Sequence, residues 1–398
     1  MLIPIEECRD DVVKYRRRTS VEFIVGTKCQ NACKYCYRVS CQNDGELLGT
    51  TVDRMRMMYE NAIDMGMIDR GTGIEIFGGD PITDYSFFKS VVEHFRDDTT
   101  QFLVPTNGRI IENIKDAEID ALIEASGNKL SLSLSVDGPQ DMNRPMSQFG
   151  HMSGVPEERN WDRLFSLAKK YHWGFHPMLH FPTASLWFDT WKWFFDHDAH
   201  VYLLEVRHPI DDPKNIVEGV YQLAKIILTC EKMNIKPAFN TTSPSRTPRG
   251  LGCSALTSLC INTDGRVYFC HRLMQERYLI ADLVTKQVDM RKYVMLGAGY
   301  DFKNSATCMR CPIKKYCMTV CVGAADEYWQ GAVSLPIPST CKYALLKLFY
   351  LINRTNTWGA IRPSIDLDHT KCILQAAFPN FNDVIADLDG RLKTDGLL

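Results

Sequence analysis

No apolar run in this chain reaches the roughly 18–20 residues a helix needs to span a bilayer, so a membrane-spanning protein is not expected. An excess of one charge is also missing. Lys and Arg number 46 and Asp and Glu 48, a formal net charge of −2. Neither nucleic acid nor an acidic membrane surface is therefore an electrostatically favoured partner. The N-terminus, Met1 to Asp11, lacks the apolar core of a secretory signal, and a cytoplasmic location is expected. Internal repeats and low-complexity tracts are absent, which excludes a repeat architecture.

What the chain has in excess is cysteine, fifteen residues in 398. Disulfides are rare in a reducing compartment, so clustered cysteines point to metal. One group lies at Cys29–Cys41. Only Cys230 interrupts the gap that follows, and then Cys253, Cys260, Cys270, Cys308, Cys311, Cys317, Cys321 and Cys341 fall within about ninety residues. That asymmetry is the main domain signal.

The first half alternates strand and helix patterns. Candidate strands are Val21–Val25, Gly73–Phe77, Gln101–Pro105, Leu130–Val136, Phe175–Phe181 and Val201–Val206. Helical stretches lie between them at Val52–Met67, Tyr85–Phe95, Ala117–Ala125, Trp161–Tyr171 and Leu186–Phe195, and Val217–Met233 follows. This predicts an α/β fold: a parallel sheet with crossover helices, in six units, hence a partial (β/α)6 TIM-like barrel rather than a closed one. The expected division is an N-terminal extension (1–20), the barrel (21–235), a small cysteine-rich domain (236–345) and a C-terminal helical tail (346–398), with the loop-like Thr241–Gly250 marking a boundary. Gly78-Gly79-Asp80-Pro81, Thr106-Asn107-Gly108, Asp137-Gly138-Pro139 and the first cysteine loop all follow strands. In α/β barrels that face carries the site.

The first cysteine group reads Cys29-Gln-Asn-Ala-Cys33-Lys-Tyr-Cys36. Composition alone gives this spacing in roughly 2% of such chains, so a zinc loop or buried thiols compete with the reading that follows. Three ligands are one fewer than a fully protein-bound iron–sulfur cube takes, which leaves one iron open for chemistry. Tyr35 can stack on a bound base or simply pack, and Cys41, off the spacing, reads as a plain buried thiol. The segment resembles the radical S-adenosylmethionine (SAM) enzymes, whose signature is Cys-x3-Cys-x2-Cys after the first strand of a partial barrel. The resemblance implies a [4Fe–4S] cluster on Cys29, Cys33 and Cys36. It also implies SAM bound at the open iron and cleaved to a 5′-deoxyadenosyl radical that abstracts a substrate hydrogen. Gly78 and Gly79 would let a ligand approach the backbone, and Asp80 would meet the SAM ammonium, one methylene shorter than the family's usual Glu. Asn107 and Ser135 would bond its ribose or carboxylate.

The second group is more specific: Cys308-x2-Cys311-x5-Cys317-x3-Cys321 arises by composition in roughly one chain in a thousand. Upstream, Asp264-Gly265 between apolar runs predicts a hairpin that brings Cys260 and Cys270 near each other. A pair of zinc knots would use the same donors. The arrangement resembles the SPASM extension of radical SAM enzymes, which holds two auxiliary [4Fe–4S] clusters. By that resemblance Cys253, Cys260, Cys270 and Cys321 hold one, and Cys308, Cys311, Cys317 and Cys341 the other, three clusters in all. SPASM enzymes include maturases of peptides and proteins, so the implied function is hydrogen abstraction from a peptide or protein, with cross-linking, oxidation or epimerisation to follow. A flavodoxin- or ferredoxin-type electron donor is implied. Only about twenty residues precede the first barrel strand, too few for a leader-binding domain, so a separate peptide-recognition protein or direct recognition is expected. Sulfatase maturases commonly carry an acidic base after the cysteine of Gly-x4-Cys, where this chain has His271. A histidine can serve as base near neutral pH, or only orient a cluster or cap the hairpin. A dehydrogenase or epimerase of a small polar metabolite, and a non-catalytic zinc or iron–sulfur interaction protein, are the alternatives.

Other residues read as structural. His172, His176 and His180 are packing or pocket-lining residues, and Trp187, Trp191, Phe194 and Phe195 form a core-facing helical stripe. Glu205 and Arg207 alternate around Val206 and either bind substrate or pair with each other. Arg16-Arg17-Arg18 is a solvated edge.

Overall fold

The computed structural model describes residues 2–16, 20–36, 50–141, 143–145, 158–206, 208–235, 258–297, 305–317, 321–333 and 335–398. Arg17, Arg18, Cys41, Arg207, Cys253 and the 241–250 segment lie outside the described residues. The described residues form two compact units that interleave in sequence: 1–136 with 141–175 and 253–300, and 137–140 with 176–252 and 301–398.

The first unit contains a ten-stranded sheet. Its strands are β1 (Ile3–Pro4), β2 (Ser20–Ile24), β3 (Gly73–Phe77), β4 (Phe102–Thr106), β5 (Leu130–Leu134), β6 (Gly174–Phe175), β9 (Ser258–Ile261), β10 (Arg266–Tyr268), β11 (Ala281–Asp282) and β12 (Gln287–Val288). The order is β1-β12-β11-β10-β9-β2-β3-β4-β5-β6, parallel from β9 to β6 and antiparallel elsewhere. Asn160, Asp84 and Thr51 cap the crossover helices Trp161–Tyr171, Tyr85–Phe95 and Val52–Asp64 with side-chain oxygens. Phe23 on β2 packs beneath Phe95, which Tyr59 meets edge-on at 5.5 Å.

Two features differ from the strand pattern. The run Phe175–Phe181 is two short strands, β6 and β7 (Met178–Leu179), and β7 pairs instead with β8 (Leu204–Glu205) in the second unit. Pro177, between them, has no N–H to donate to a ladder. The second difference is the cysteine hairpin. It does not stand apart: β9 pairs in parallel with the edge of β2, Ser258 opposite Ser20 and Cys260 opposite Glu22. An edge strand offers unpaired backbone groups, and β9 takes them.

In the second unit Trp187, Trp191 and Phe194 are buried as the stripe requires, while Phe195 is exposed and does not face the core. Glu205 is buried and accepts hydrogen bonds from Tyr343 Oη at 2.6 Å and Lys347 Nζ at 2.8 Å. It thus pins helix Pro338–Arg354 to β8, and burial beside its charge pushes the Tyr343 phenol well up. Its partners are helical residues distant in sequence. Lys347→Met would strand a buried carboxylate and should destabilise this unit by about 3–5 kcal/mol. Glu205→Gln/Lys347→Met should recover part of the loss. Urea unfolding checks this, and wild-type stability in Lys347→Met would refute the pin.

Candidate functional site

The cysteine loop leaves β2 and is held by the strand end of β3. Val25 N donates to Phe77 O at 2.9 Å, Gly79 N to Gly26 O at 3.0 Å and Asp80 N to Lys28 O at 2.7 Å. This contact explains both glycines. A Cβ at Gly79 would lie 2.2 Å from Lys28 O, and one at Gly78 2.5 Å from Gly26 O. Both glycines admit a close approach of the cysteine loop's own backbone.

Asp80 is buried, and its carboxylate is engaged. Oδ1 accepts from Ile82 N and Thr106 Oγ1, both at 3.0 Å; Oδ2 accepts from Asn107 N at 2.7 Å and again from Thr106. Burial pushes its pKa up, while the Asn107 and Ile82 amides, the Thr106 hydroxyl and Arg159 pull it back. The shorter side chain is thus seated among groups that tie the β3 corner to the end of β4. Asn107 continues the tie: its Nδ2 donates to Gln30 Oε1 at 2.9 Å and to Cys29 Sγ at 3.7 Å. Ser135 follows β5, where its amide donates to Thr106 O at 2.7 Å.

The three thiols lie within electrostatic reach of one another. The Cys29 thiol is pushed up first by burial, then by Asp80, Cys33 and Cys36, against a hydrogen bond from Asn31 N at 3.4 Å. Residues 143–145 clamp the loop from another side, with Ala32 N donating to Pro145 O at 2.7 Å and Lys34 N to Asn143 O at 2.9 Å. Arg144 on this clamp is buried; its Nη1 lies 3.9 Å from Cys33 Sγ and its guanidinium covers the Tyr35 ring at 5.3 Å. Arg109 Nε donates to Asn31 Oδ1 at 2.7 Å. Arg159 pairs with Glu112 at 3.0 Å and Asp141 at 3.2 Å and donates to Asn107 O at 2.9 Å. Three soft thiol donors on one loop, with N–H groups aimed at their sulfurs, fit an iron–sulfur cluster in ligand chemistry. Among the described residues no three Cys, His, Asp or Glu side chains converge on a single metal-ion position.

The hairpin forms as expected, with Gly265 at φ +92° supporting its turn. Cys260 is buried on β9 and Cys270 lies two residues past β10, its sulfur accepting from Arg272 N at 3.5 Å. His271 stacks on Phe77 at 4.4 Å, and its Nδ1 sits 2.9 and 3.1 Å from the two oxygens of buried Glu22. A carboxylate oxygen accepts, so Nδ1 is the donor of this pair. Sequence reasoning passed over Glu22; its one signal was a charge inside the apolar run Val21–Val25. Arg144 and Arg109 carried no local signal.

In the second unit, Cys308 and Cys311 flank the end of the short helix Ala306–Met309, Cys317 follows the turn Lys314–Tyr316, and Cys321 caps the helix Val322–Trp329. Cys341 lies in helix Pro338–Arg354. Its thiol is pushed up by burial and then by Cys317, Cys308 and Cys311, the three thiols grouped with it in the sequence. Cys321 shares a cleft with Cys341.

Residues 18–149 match a family model described as a 4Fe-4S single cluster domain. No curated protein matches the chain. Among solved structures, native anSMEcpe with bound AdoMet is similar at 17% identity and a TM-score of 0.66, covering 86% of this chain and 100% of that one. The same protein with AdoMet and the Cp18Cys peptide is similar at 16% and 0.65, covering 86% and 99%. Streptococcus suis SuiB bound to its precursor peptide SuiA is similar at 13% and 0.54, covering 84% and 79%. At such identities the likeness is one of fold. The likeness spans most of this chain in each case. No helix of the described residues is long and apolar enough to cross a membrane.

Gly79→Ala tests the docking contact. The added methyl must displace the Lys28 carbonyl, so stability should fall by at least about 1–3 kcal/mol. Unchanged melting would refute the contact.

Proposed function

We propose that this chain is a radical SAM enzyme of the SPASM type that abstracts hydrogen from a peptide or protein substrate, as a step of cross-linking, oxidation or epimerisation. The observation that carries this is the first cysteine loop. Three thiols follow the first parallel strand, docked on the glycine corner of the next strand, within a fold shared with AdoMet-bound and peptide-bound proteins. Cys29, Cys33 and Cys36 would hold a [4Fe–4S] cluster, which when bound would supply the electron for reductive cleavage of SAM to methionine and a 5′-deoxyadenosyl radical. Asn107, fixed by Asp80 and Gln30, and Ser135 offer polar groups to SAM at the strand ends, and Gly78 and Gly79 hold the loop that presents the thiols. Asp80 serves this reading as an organiser of the corner, its oxygens already shared among three donors. Tyr35 packs against Arg144 on one face.

The eight downstream cysteines serve as ligands of two further clusters. Cys308, Cys311, Cys317 and Cys341 form one of these sets in this reading, and the first three act on the Cys341 thiol electrostatically. A flavodoxin- or ferredoxin-type donor supplies electrons, and a separate protein, or the enzyme itself, recognises the peptide. His271, oriented by Glu22 and Phe77, is the group in this reading that removes a substrate proton at Nε2.

Anaerobic reconstitution should give about twelve irons per chain, four for each of three cubes. The Cys29/Cys33/Cys36→Ala variant should lose SAM-derived 5′-deoxyadenosine, and its retention would exclude this assignment. Zinc without colour would end the enzyme reading. His271→Ala should still form 5′-deoxyadenosine but release at least about ten-fold less modified peptide, a loss in the range of one general base. His271→Asp should restore part of it. Mass spectrometry of peptides encoded beside the gene and co-expressed with the protein reads both.

A further inference from the structure

We propose that Arg144 is an electrostatic tuning residue for the cluster held by Cys29, Cys33 and Cys36, raising its reduction potential so that a biological one-electron donor can reduce it. The inference rests on the reading of that loop as a radical SAM site and adds a residue to it.

Arg144 is 7% exposed and sits on the segment whose backbone clamps both sides of Cys33. Its Nη1 reaches Cys33 Sγ at 3.9 Å, and the face of Tyr35, two residues on, fixes the plane of the guanidinium at 5.3 Å. Two neutral donors, the Asn31 amide and Asn107 Nδ2, also reach the Cys29 sulfur. Arg144 therefore brings a fixed positive charge as well as an N–H group. A cube bearing three thiolates is a net anion, and it gains one more negative charge when a low-potential donor gives it an electron. A nearby cation favours the more negative state, more strongly where water is excluded. Hydrogen bonds to sulfur, local charge and burial are the known determinants of cluster potential. Arg is the cation suited to this place, since its charge persists when buried and its flat face stacks.

The test is potentiometry of the reconstituted full-length enzyme, following the electron paramagnetic resonance signal that changes when SAM is added. Arg144→Gln should retain its iron and shift this midpoint to a more negative value. A tenfold fall in the ratio of reduced to oxidised cluster at a fixed potential corresponds to about 59 mV for one electron. Formation of 5′-deoxyadenosine should then fall with dithionite and recover with the stronger reductant titanium(III) citrate. Arg144→Lys, which keeps charge but loses the stack, should lie between the two. An unchanged midpoint in Arg144→Gln with full iron content overturns the proposal. Loss of iron in both variants also overturns it, assigning Arg144 to cluster assembly. Failure of the underlying reading is separable: the SAM-sensitive signal would then persist in Cys29/Cys33/Cys36→Ala.

Discussion

The candidate site depends on one backbone contact, the docking of Gly78-Gly79-Asp80 against residues 26–28. Two hydrogen bonds, from Gly79 N to Gly26 O and from Asp80 N to Lys28 O, extend the β2–β3 pairing past the strand ends. The cysteine loop is therefore a continuation of the sheet rather than a free excursion. Atoms beyond Cα at either glycine would separate the two backbones. From this contact the Asp80 carboxylate reaches the end of β4, and Asn107 returns from β4 to Cys29. Three strand ends and one thiol are coupled by two side chains.

The same corner concentrates buried charge. Asp80, Glu112 and Asp141 stand near Arg109 and Arg159, with Arg144 against Cys33. Burial raises Glu112 even as Arg159 lowers it, and lowers Arg109, whose charge Arg159 also opposes. Arrangements of this kind are weak sources of stability, because desolvation offsets much of the attraction. These groups stand next to the thiols of the first cysteine loop. The second unit shows the structural counterpart in Glu205, Tyr343 and Lys347, where a buried charge fixes a helix to a strand.

The hairpin gives the first unit its other distinctive feature. By pairing with β2, β9 places Cys260 opposite Glu22, and the chain returning from β10 brings His271 onto that carboxylate. Residues 249 positions apart in sequence thus meet across a sheet edge. A base candidate and the residue that orients it come from two segments that composition had assigned to different domains.

The sequence alone determined most of the elements and which cysteines lie close along the chain. Strand cores such as Gly73–Phe77, and helices such as Tyr85–Phe95 and Trp161–Tyr171, follow from local pattern and capping residues. Cysteine spacing within short loops likewise encodes which thiols can act together, because a few residues of backbone limit their separation. Tertiary structure decided everything that required distant segments to meet. It packed the two glycines against the cysteine-loop backbone, gave Asp80 to Thr106 and Asn107, split the strand at Pro177, and joined β9 to β2. It also placed Glu22 on His271 and Arg144 on Cys33. The physical reason is the same in each case. Propensity and spacing act over a few residues, whereas hydrogen-bond satisfaction of buried groups is settled by whichever part of the chain the sheet brings alongside.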